Sequence, residues 1–301
     1  MNDNQHHIPV MLQEAIEGLN VQTDHWYIDA TFGQGGHTQA ILDQGGKVVG
    51  LDYDQQNIVA GTEKFSTPIQ DKRLILIREN FSKLKETIDK LQKHNQLDKI
   101  SGILFDFGTT SQQLTDTSRG LSFAGDDQEL DMRLDQRLGV KAKDLLAIMS
   151  QTQLQKVFAV FGGETEAKKI AKEINKLRRE GRFIRTVSDL TQLISRVKHR
   201  RSRNIHPATK VFQALRIAVN NELENIEQAL PQALKLLEPQ GTMITIAFHE
   251  GEDRLVKYSF RDWTKAKLGL QKPKKVTKPT ETEISNNPKS RSAKLRRFIK
   301  N

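Results

Sequence analysis

The sequence predicts an α/β protein: a doubly wound, mostly parallel sheet whose chain is interrupted by a helical lobe. Three observations carry that reading. Up to Asp106, short runs rich in Ile, Val and Leu alternate with amphipathic segments of helix length, the pattern of strands covered on both faces by crossover helices. A glycine-rich turn, Gly33-Gln34-Gly35-Gly36-His37, follows the first such run. After Asp106 the strand pattern gives way to helical spacing and returns only at residues 241–248.

The elements follow in order. "VMLQEAIEGL" has helical spacing and "WYIDA" is a short strand; "HTQAILDQ" is helical and "GKVVGLD" is a buried strand. "QQNIVAGTEKF" is a helix, "RLILI" a strand, "FSKLKETIDKLQKH" a helix and "ISGILFDFG" a strand. Residues 108–135 are polar, without sustained period, and too long for an ordinary loop. Helical spacing then runs from about Val140 to Lys198. "HPATKVFQALRIAVNNELENIEQAL" reads as one long amphipathic helix with Pro207 in its first turn. "GTMITIAF" is again a buried strand, and "EDRLVKYSFRDWTKA" a helix. The stretch 270–292 is expected to be extended, with "AKLRRFI" as a closing edge strand. The expected organisation is a core in two parts, 1–113 and 206–301, around a helical insertion at 114–205.

Composition narrows the function classes. There is no cysteine, which excludes disulfides, thiol catalysis and cysteine-zinc sites. The apolar runs are too short to span a bilayer, and the amino terminus has no leader-like pattern, so a cytoplasmic protein without membrane contact is expected. The net charge of +10 is unevenly spread. Residues 254–301 hold fifteen Lys/Arg against three Asp/Glu, and residues 168–203 hold thirteen against three. Two basic segments on an otherwise acidic chain suit a polyanionic partner, although solvated helix faces would also look basic. "RVKHRRSR", with five cations in eight residues, favours the first reading, because such charges repel unless an anion is near.

The glycine-rich turn lies where doubly wound sheets bind ligands. Glycines admit close backbone approach, and the following helix offers N–H donors to an anion. Asp52, nineteen residues after Gly33, ends the next strand and can accept two ribose hydroxyls. Nicotinamide dinucleotides and S-adenosylmethionine both use that pair of features, and a turn with no ligand would also satisfy it. Thr38 stands where the dinucleotide fingerprint has its packing glycine, and no Lys-Ser/Thr follows as in a P-loop. Asp29 and the strand-end Asp106 suit a ligand with an ammonium and an adenine amine. Phe81, after the third strand, either faces the adenine or is a core aromatic opening the next helix.

The chain resembles the RsmH (also called MraW) family of 16S ribosomal RNA cytosine-N4 methyltransferases. The resemblance runs almost end to end through "HIPVMLQEAIEGL", "DATFGQGGH", "GILFDFGTTSQQL", "RGLSF", "LDMRLD", "HPATKVFQALRIAVNNEL", "FHEGEDRLVK" and "NPKSRSAKLR". It implies a class I (Rossmann-like) S-adenosylmethionine-dependent methyltransferase core with an inserted helical domain that helps hold RNA. The implied target is the exocyclic amine of a cytidine in the decoding centre of the small ribosomal subunit, near the P site. By motif, the implied cofactor contacts are Gly35, Gly36, His37, Asp52, Phe81, Asp106 and Gln113. Two departures stand out: Thr109-Thr110-Ser111-Gln112-Gln113 for the family's Val-Ser-Ser-Pro-Gln, and Glu250-Gly251 within its His-Ser-Leu-Glu-Asp-Arg.

A cytosine amine is a poor nucleophile because its lone pair is delocalised, so a site must accept its N–H bonds and remove a proton. Amino-directed methyltransferases use an Asp/Asn-Pro-Pro-aromatic turn for this; here the position reads Asp106-Phe107-Gly108-Thr109. Asp106 is assigned first to the cofactor, with His249, at the ligand edge of the sheet, as a further catalytic candidate. Asp131 and Arg133 would orient a base or phosphate, or else form a salt-bridged helix start. His206 is expected to be a helix cap or RNA contact. No metal-ligand spacing is present, so no catalytic metal is expected. Reaching the amine requires the base to be flipped from its stack. The rival readings are a non-catalytic RNA-binding assembly factor on the same scaffold and, behind it, a nicotinamide-dependent enzyme. A homodimer is open.

Overall fold

A computed structural model describes residues 8–94, 97–110, 113, 117–123, 127–198 and 206–301. The chain divides into two compact units, one of residues 1–108 and 223–301, the other of residues 109–222.

The first unit is the doubly wound α/β body. Its elements run α1 (Leu12–Leu19), β1 (Trp26–Asp29), α2 (Gly36–Asp43), β2 (Lys47–Asp52), α3 (Gln55–Lys64), α4 (Ser66–Gln70), β3 (Leu74–Arg78), α5 (Leu84–Lys93) and β4 (Ile100–Asp106). The sheet order is β3-β2-β1-β4, then β5 (Leu237–Ala247), β7 (Lys294–Lys300) and β6 (Gly269–Gln271). The first five strands are parallel and β7 is antiparallel to both neighbours. Strand order reverses between β1 and β4, and beyond the carboxyl ends of strands at such a reversal is where doubly wound sheets bind ligands. Alternate residues feed opposite cores, as the pleat requires. Trp26, Ile28, Val49, Leu51, Ile103 and Phe105 join one cluster, whereas Tyr27, Val48 and Leu104 join the other.

Two expectations for the carboxyl-terminal part are corrected. Residues 294–300 do not close the edge; β7 lies inside, with β6 beyond it. The basic sequence hides two buried apolar side chains, Leu295 and Phe298, one for the core on each face of the sheet, and the buried Arg296 is neutralised by Asp253 at 2.8 Å. The stretch expected to be extended contains a short helix, Glu281–Asn286, whose Thr280 cap accepts from the Glu283 N–H at 3.1 Å. Glu283 in turn accepts from Met11 N at 2.7 Å, and Asn287 donates to Ile8 O at 3.1 Å. The tail therefore pins the amino-terminal segment.

The second unit is helical: α6 (Ala142–Ile148), α7 (Gln151–Gly162), α8 (Ala167–Arg179), α9 (Val187–Val197) and α10 (Thr209–Val219). The long helix expected from His206 is broken. Asn221 takes a left-handed φ of 50°, and α11 (Glu222–Leu236) follows as a separate helix. Consequently α10, expected to open the second part of the core, groups with the helical unit. Within it, Asn220 donates to Met132 O at 2.9 Å and accepts from Leu134 N at 2.8 Å, fixing the "LDMRLD" segment to the end of α10. A final long helix of the α/β unit, α12 (Glu250–Lys265), follows β5. No helix among the described residues is long and apolar enough to cross a membrane.

Candidate active site

The turn after β1 leads from Gly33 (φ 53°) to Gly35 (φ 73°), the cap of α2. Both are left-handed, a region costly for any residue with a Cβ. The reason for glycine at 35 differs from the one the sequence suggests. A Cβ there would lie 2.6 Å from Phe65 Cε2 and 2.8 Å from Phe32 Cζ, and one on Gly36 would lie 2.2 Å from Pro9 Cγ. The protein's own side chains, not only a ligand, demand the missing Cβ atoms.

Three carboxylates gather at the strand ends of this unit. Asp29 is buried and accepts from the Thr38 hydroxyl at 2.7 Å; burial pushes its carboxyl up to about 6, against the pull of those hydrogen bonds. Thr38, where a dinucleotide fingerprint would have glycine, is thus committed to Asp29. Asp52 accepts from Gly33 N at 2.9 Å, Asp54 N at 2.8 Å and Asn57 Nδ2 at 2.9 Å. Burial raises it to about 6 as well. It therefore shapes the turn, through Gly33, as well as ending β2.

Asp106 differs from these two. Its buried Oδ1 has no hydrogen-bond partner, and its Oδ2 lies 3.9 Å from His37 Nδ1. Burial, then repulsion from Asp29 and Glu252, holds its carboxyl well above the usual range. An orphaned buried oxygen next to two like charges is the environment a cationic or donor-rich ligand would relieve. His37 also contacts Val10 O, at 3.2 Å through Nε2.

Phe81 sits in the core with Phe105 and Phe107, ring centroids 5.8 and 6.0 Å away. It begins the 3₁₀ turn that Asn80 caps through Ser82 N at 2.8 Å, so both sequence readings of Phe81 remain compatible with its place after β3. His249 is the cap of α12: its Nδ1 accepts from Gly251 N at 3.1 Å and its Nε2 is 3.1 Å from Glu252 Oε1. Glu252, nearly fully buried, closes the capping box by accepting from His249 N at 3.2 Å, and it also accepts from Phe248 N at 2.7 Å. His249 Nδ1 is thus engaged in its own helix start, whereas its buried Nε2 makes no hydrogen bond among the described residues. Asp29 and Glu252 flank Asp106, yet Glu252 was not singled out from sequence. Its signal was the spacing from His249, three residues, which is that of a capping box.

The departures from the family pattern are accommodated locally. Glu250 is exposed and pairs with Lys294 at 2.8 Å. A Cβ on Gly251 would lie 3.0 Å from the His249 ring, so glycine there lets the ring cap the helix. Gln112 lies outside the described residues.

In the helical unit, buried Gln113 accepts from Thr110 N at 3.0 Å and donates its own N–H to Thr110 Oγ1 at 3.2 Å. Asp131 and Arg133 pair at 2.7 Å, but no helix starts there; Met132 between them has φ 61°. His206 stacks on Phe123 with centroids 4.3 Å apart and accepts from Ala208 N at 3.3 Å. Burial, followed by the Lys198 charge, lowers its pKa. Arg200, Arg201 and Arg203 lie outside the described residues.

Comparison with known proteins agrees over the full length. The model of the MraW methylase family matches residues 4–301. A protein of Shewanella loihica called ribosomal RNA small subunit methyltransferase H is 40% identical over 96% of both chains. The protein of that name from Shewanella frigidimarina is 38% identical, again over 96% of each. Among solved structures, an rRNA methylase from Streptococcus thermophilus aligns with 97% of this chain and 98% of its own at 10% identity and a TM-score of 0.47, which adds nothing to the assignment. On the strength of the full-length match and the close relatives, the chain belongs to the MraW methylase family.

Proposed function

We propose that this protein transfers a methyl group from S-adenosylmethionine to the N4 amine of a cytidine in 16S ribosomal RNA, at the decoding centre near the P site, in the cytoplasm. Membership of a methylase family supports methyl transfer, and the relatives' names support small-subunit rRNA as the substrate. The observation that carries the cofactor assignment is the orphaned oxygen of Asp106 beside Asp29 and Glu252. It gives the strand-end pocket an unmet demand for a cation or N–H donor.

The bound cofactor supplies a methyl already activated by its sulfonium. The task left to this chain is positioning and proton handling. In this proposal the N–H groups of Gly36 and His37, at the positive end of α2, hold the cofactor's carboxylate. Asp106 receives its cationic or amine end, Asp52 turns its remaining acceptor capacity to the ribose, and Phe81 stiffens the wall behind the adenine. Gln113 is proposed as a further cofactor contact on the strength of its motif alone. His249 is held in place by its cap through Nδ1, and its Nε2, which makes no hydrogen bond among the described residues, is the candidate acceptor for the proton of the target amine.

Calorimetry with S-adenosylmethionine, coupled to labelled-methyl transfer onto small-subunit RNA, tests this reading. Binding by the wild-type protein and at least tenfold weaker binding by a folded Asp106→Asn variant are expected. A variant that binds and transfers like wild type would sink the assignment of Asp106.

A further inference from the structure

In the helical unit, α8 and α9 enclose a groove of about 410 Å³ that the catalytic reading does not use. The two helices turn their apolar faces, Ile170, Ala171 and Ile174 against Leu190, Leu193 and Ile194, into the unit's core. Lys169, Lys172 and Lys176 follow at the spacing of one helix face, and Arg182 and Arg196 complete the lining. Against these five cations the lining holds one carboxylate, Glu173.

The pairing of these charges separates a binding groove from a solvated helix face. Lys169 has Glu166 at 2.7 Å, and Arg182 has Glu180. Lys172, Lys176 and Arg196 form no ion pair with the described residues, and all three side chains are exposed. Solvated faces relieve like charges by pairing them with opposite ones; here three cations with no ion pair among the described residues converge on a concavity floored by the buried Leu193. A cleft lined by one sign of charge over low-dielectric walls focuses the field and concentrates counter-charge. In sequence the basic run continues beyond α9 through Arg200, Arg201 and Arg203.

We infer that the groove between α8 and α9 is a docking site for RNA backbone phosphates, contacted by Lys172, Lys176 and Arg196. The inference rests on the proposed RNA substrate and adds where that RNA is gripped. Phosphate contacts position a nucleic acid without reading its sequence, so the groove would hold RNA of any sequence, at a place built from residues other than those of the cofactor pocket.

The test is fluorescence anisotropy of the full-length protein on a labelled single-stranded oligouridylate across a range of salt concentrations. Each phosphate contact on a single strand contributes about 0.7 to the slope of log K against log salt. A Lys172→Gln/Lys176→Gln/Arg196→Gln variant is therefore expected to lose about 2 from that slope and about a hundredfold in affinity at 0.1 M salt. Its S-adenosylmethionine affinity stays at the wild-type value, which certifies the fold. A Lys93→Gln/Lys99→Gln/Lys235→Gln control, which removes three exposed cations from the other unit, is expected to keep most of the affinity. Wild-type slope in the groove variant, or an equal loss in the control, overturns the inference. So does equally tight wild-type binding of polyglutamate that the groove variant loses, which would assign the groove to an acidic protein segment. If the wild-type protein methylates small-subunit RNA but the groove variant binds normally, the groove alone is wrong; if the wild type has no RNA affinity, the substrate reading fails with it.

Discussion

Substituting Gly35 by alanine separates two reasons for a glycine in a cofactor turn. Alanine at φ 73° pays about 1–2 kcal/mol for the left-handed backbone. It also places a Cβ 2.6 Å from Phe65 Cε2 and 2.8 Å from Phe32 Cζ. Both rings are almost wholly buried and meet edge to face at 5.8 Å, so neither can swing aside cheaply. Overpacking of this kind adds about 1–3 kcal/mol. Gly181 supplies the reference: its φ is 72°, and a Cβ there meets nothing within 4 Å. Gly181→Ala therefore carries the backbone strain without the clash, and the gain from a stiffer unfolded chain is common to both variants. In urea titrations Gly35→Ala is expected to lose about 1–3 kcal/mol more unfolding free energy than Gly181→Ala. Equal losses, together with a collapse of cofactor affinity only in Gly35→Ala, would refute the packing argument and leave ligand approach as the reason for the glycine.

The buried carboxylates make a second prediction, about pH. Asp29 and Asp52 rise from 3.8 to about 6, and burial holds Asp106 well above the usual carboxylate range. The folded chain therefore binds protons that the unfolded chain releases. The stability these groups contribute is fully present below about pH 3.8 and is lost as pH rises through 6 and beyond, at most about 3 kcal/mol for Asp29 or Asp52. Thermal melts of the ligand-free protein should fall from pH 5 to pH 8, and less steeply in Asp106→Asn; a parallel fall would exonerate Asp106. Third, Asn220→Ala strands the Leu134 N–H and the Met132 carbonyl, at a cost of about 2–3 kcal/mol. Faster proteolysis within residues 130–135 would report it, and an unchanged cleavage rate would show that Asn220 does not hold that segment.

The α/β body was legible because its strands are continuous apolar runs and its glycine-rich turn lies between the first of them and a helix. Asp29, Asp52 and Asp106 could be named because strand ends at a switch point are where polar groups meet a ligand. What stayed hidden depends on contacts distant in sequence. The "KLRRFIK" stretch looked like an edge because Lys and Arg suit edges, and only Asp253, forty-three residues away, makes Arg296 acceptable inside the sheet. The break at Asn220-Asn221 was masked by apolar periodicity that continues across it. The capping role of His249 was hidden because histidine is not among the usual capping residues, although Glu252 three residues on was the available clue. The glycines at 35 and 36 were read through their ligand, whereas Phe32, Phe65 and Pro9 crowd them from within the protein.

The most direct measurement is the nucleoside composition of small-subunit RNA incubated with this protein and S-adenosylmethionine, read by mass spectrometry and mapped to position. One new N4-methylcytidine in the decoding centre is expected, absent without the cofactor and lost in a folded Asp106→Asn variant. A methyl group on another atom, or none on any RNA presented as free 16S RNA or as assembled subunit, would contradict it.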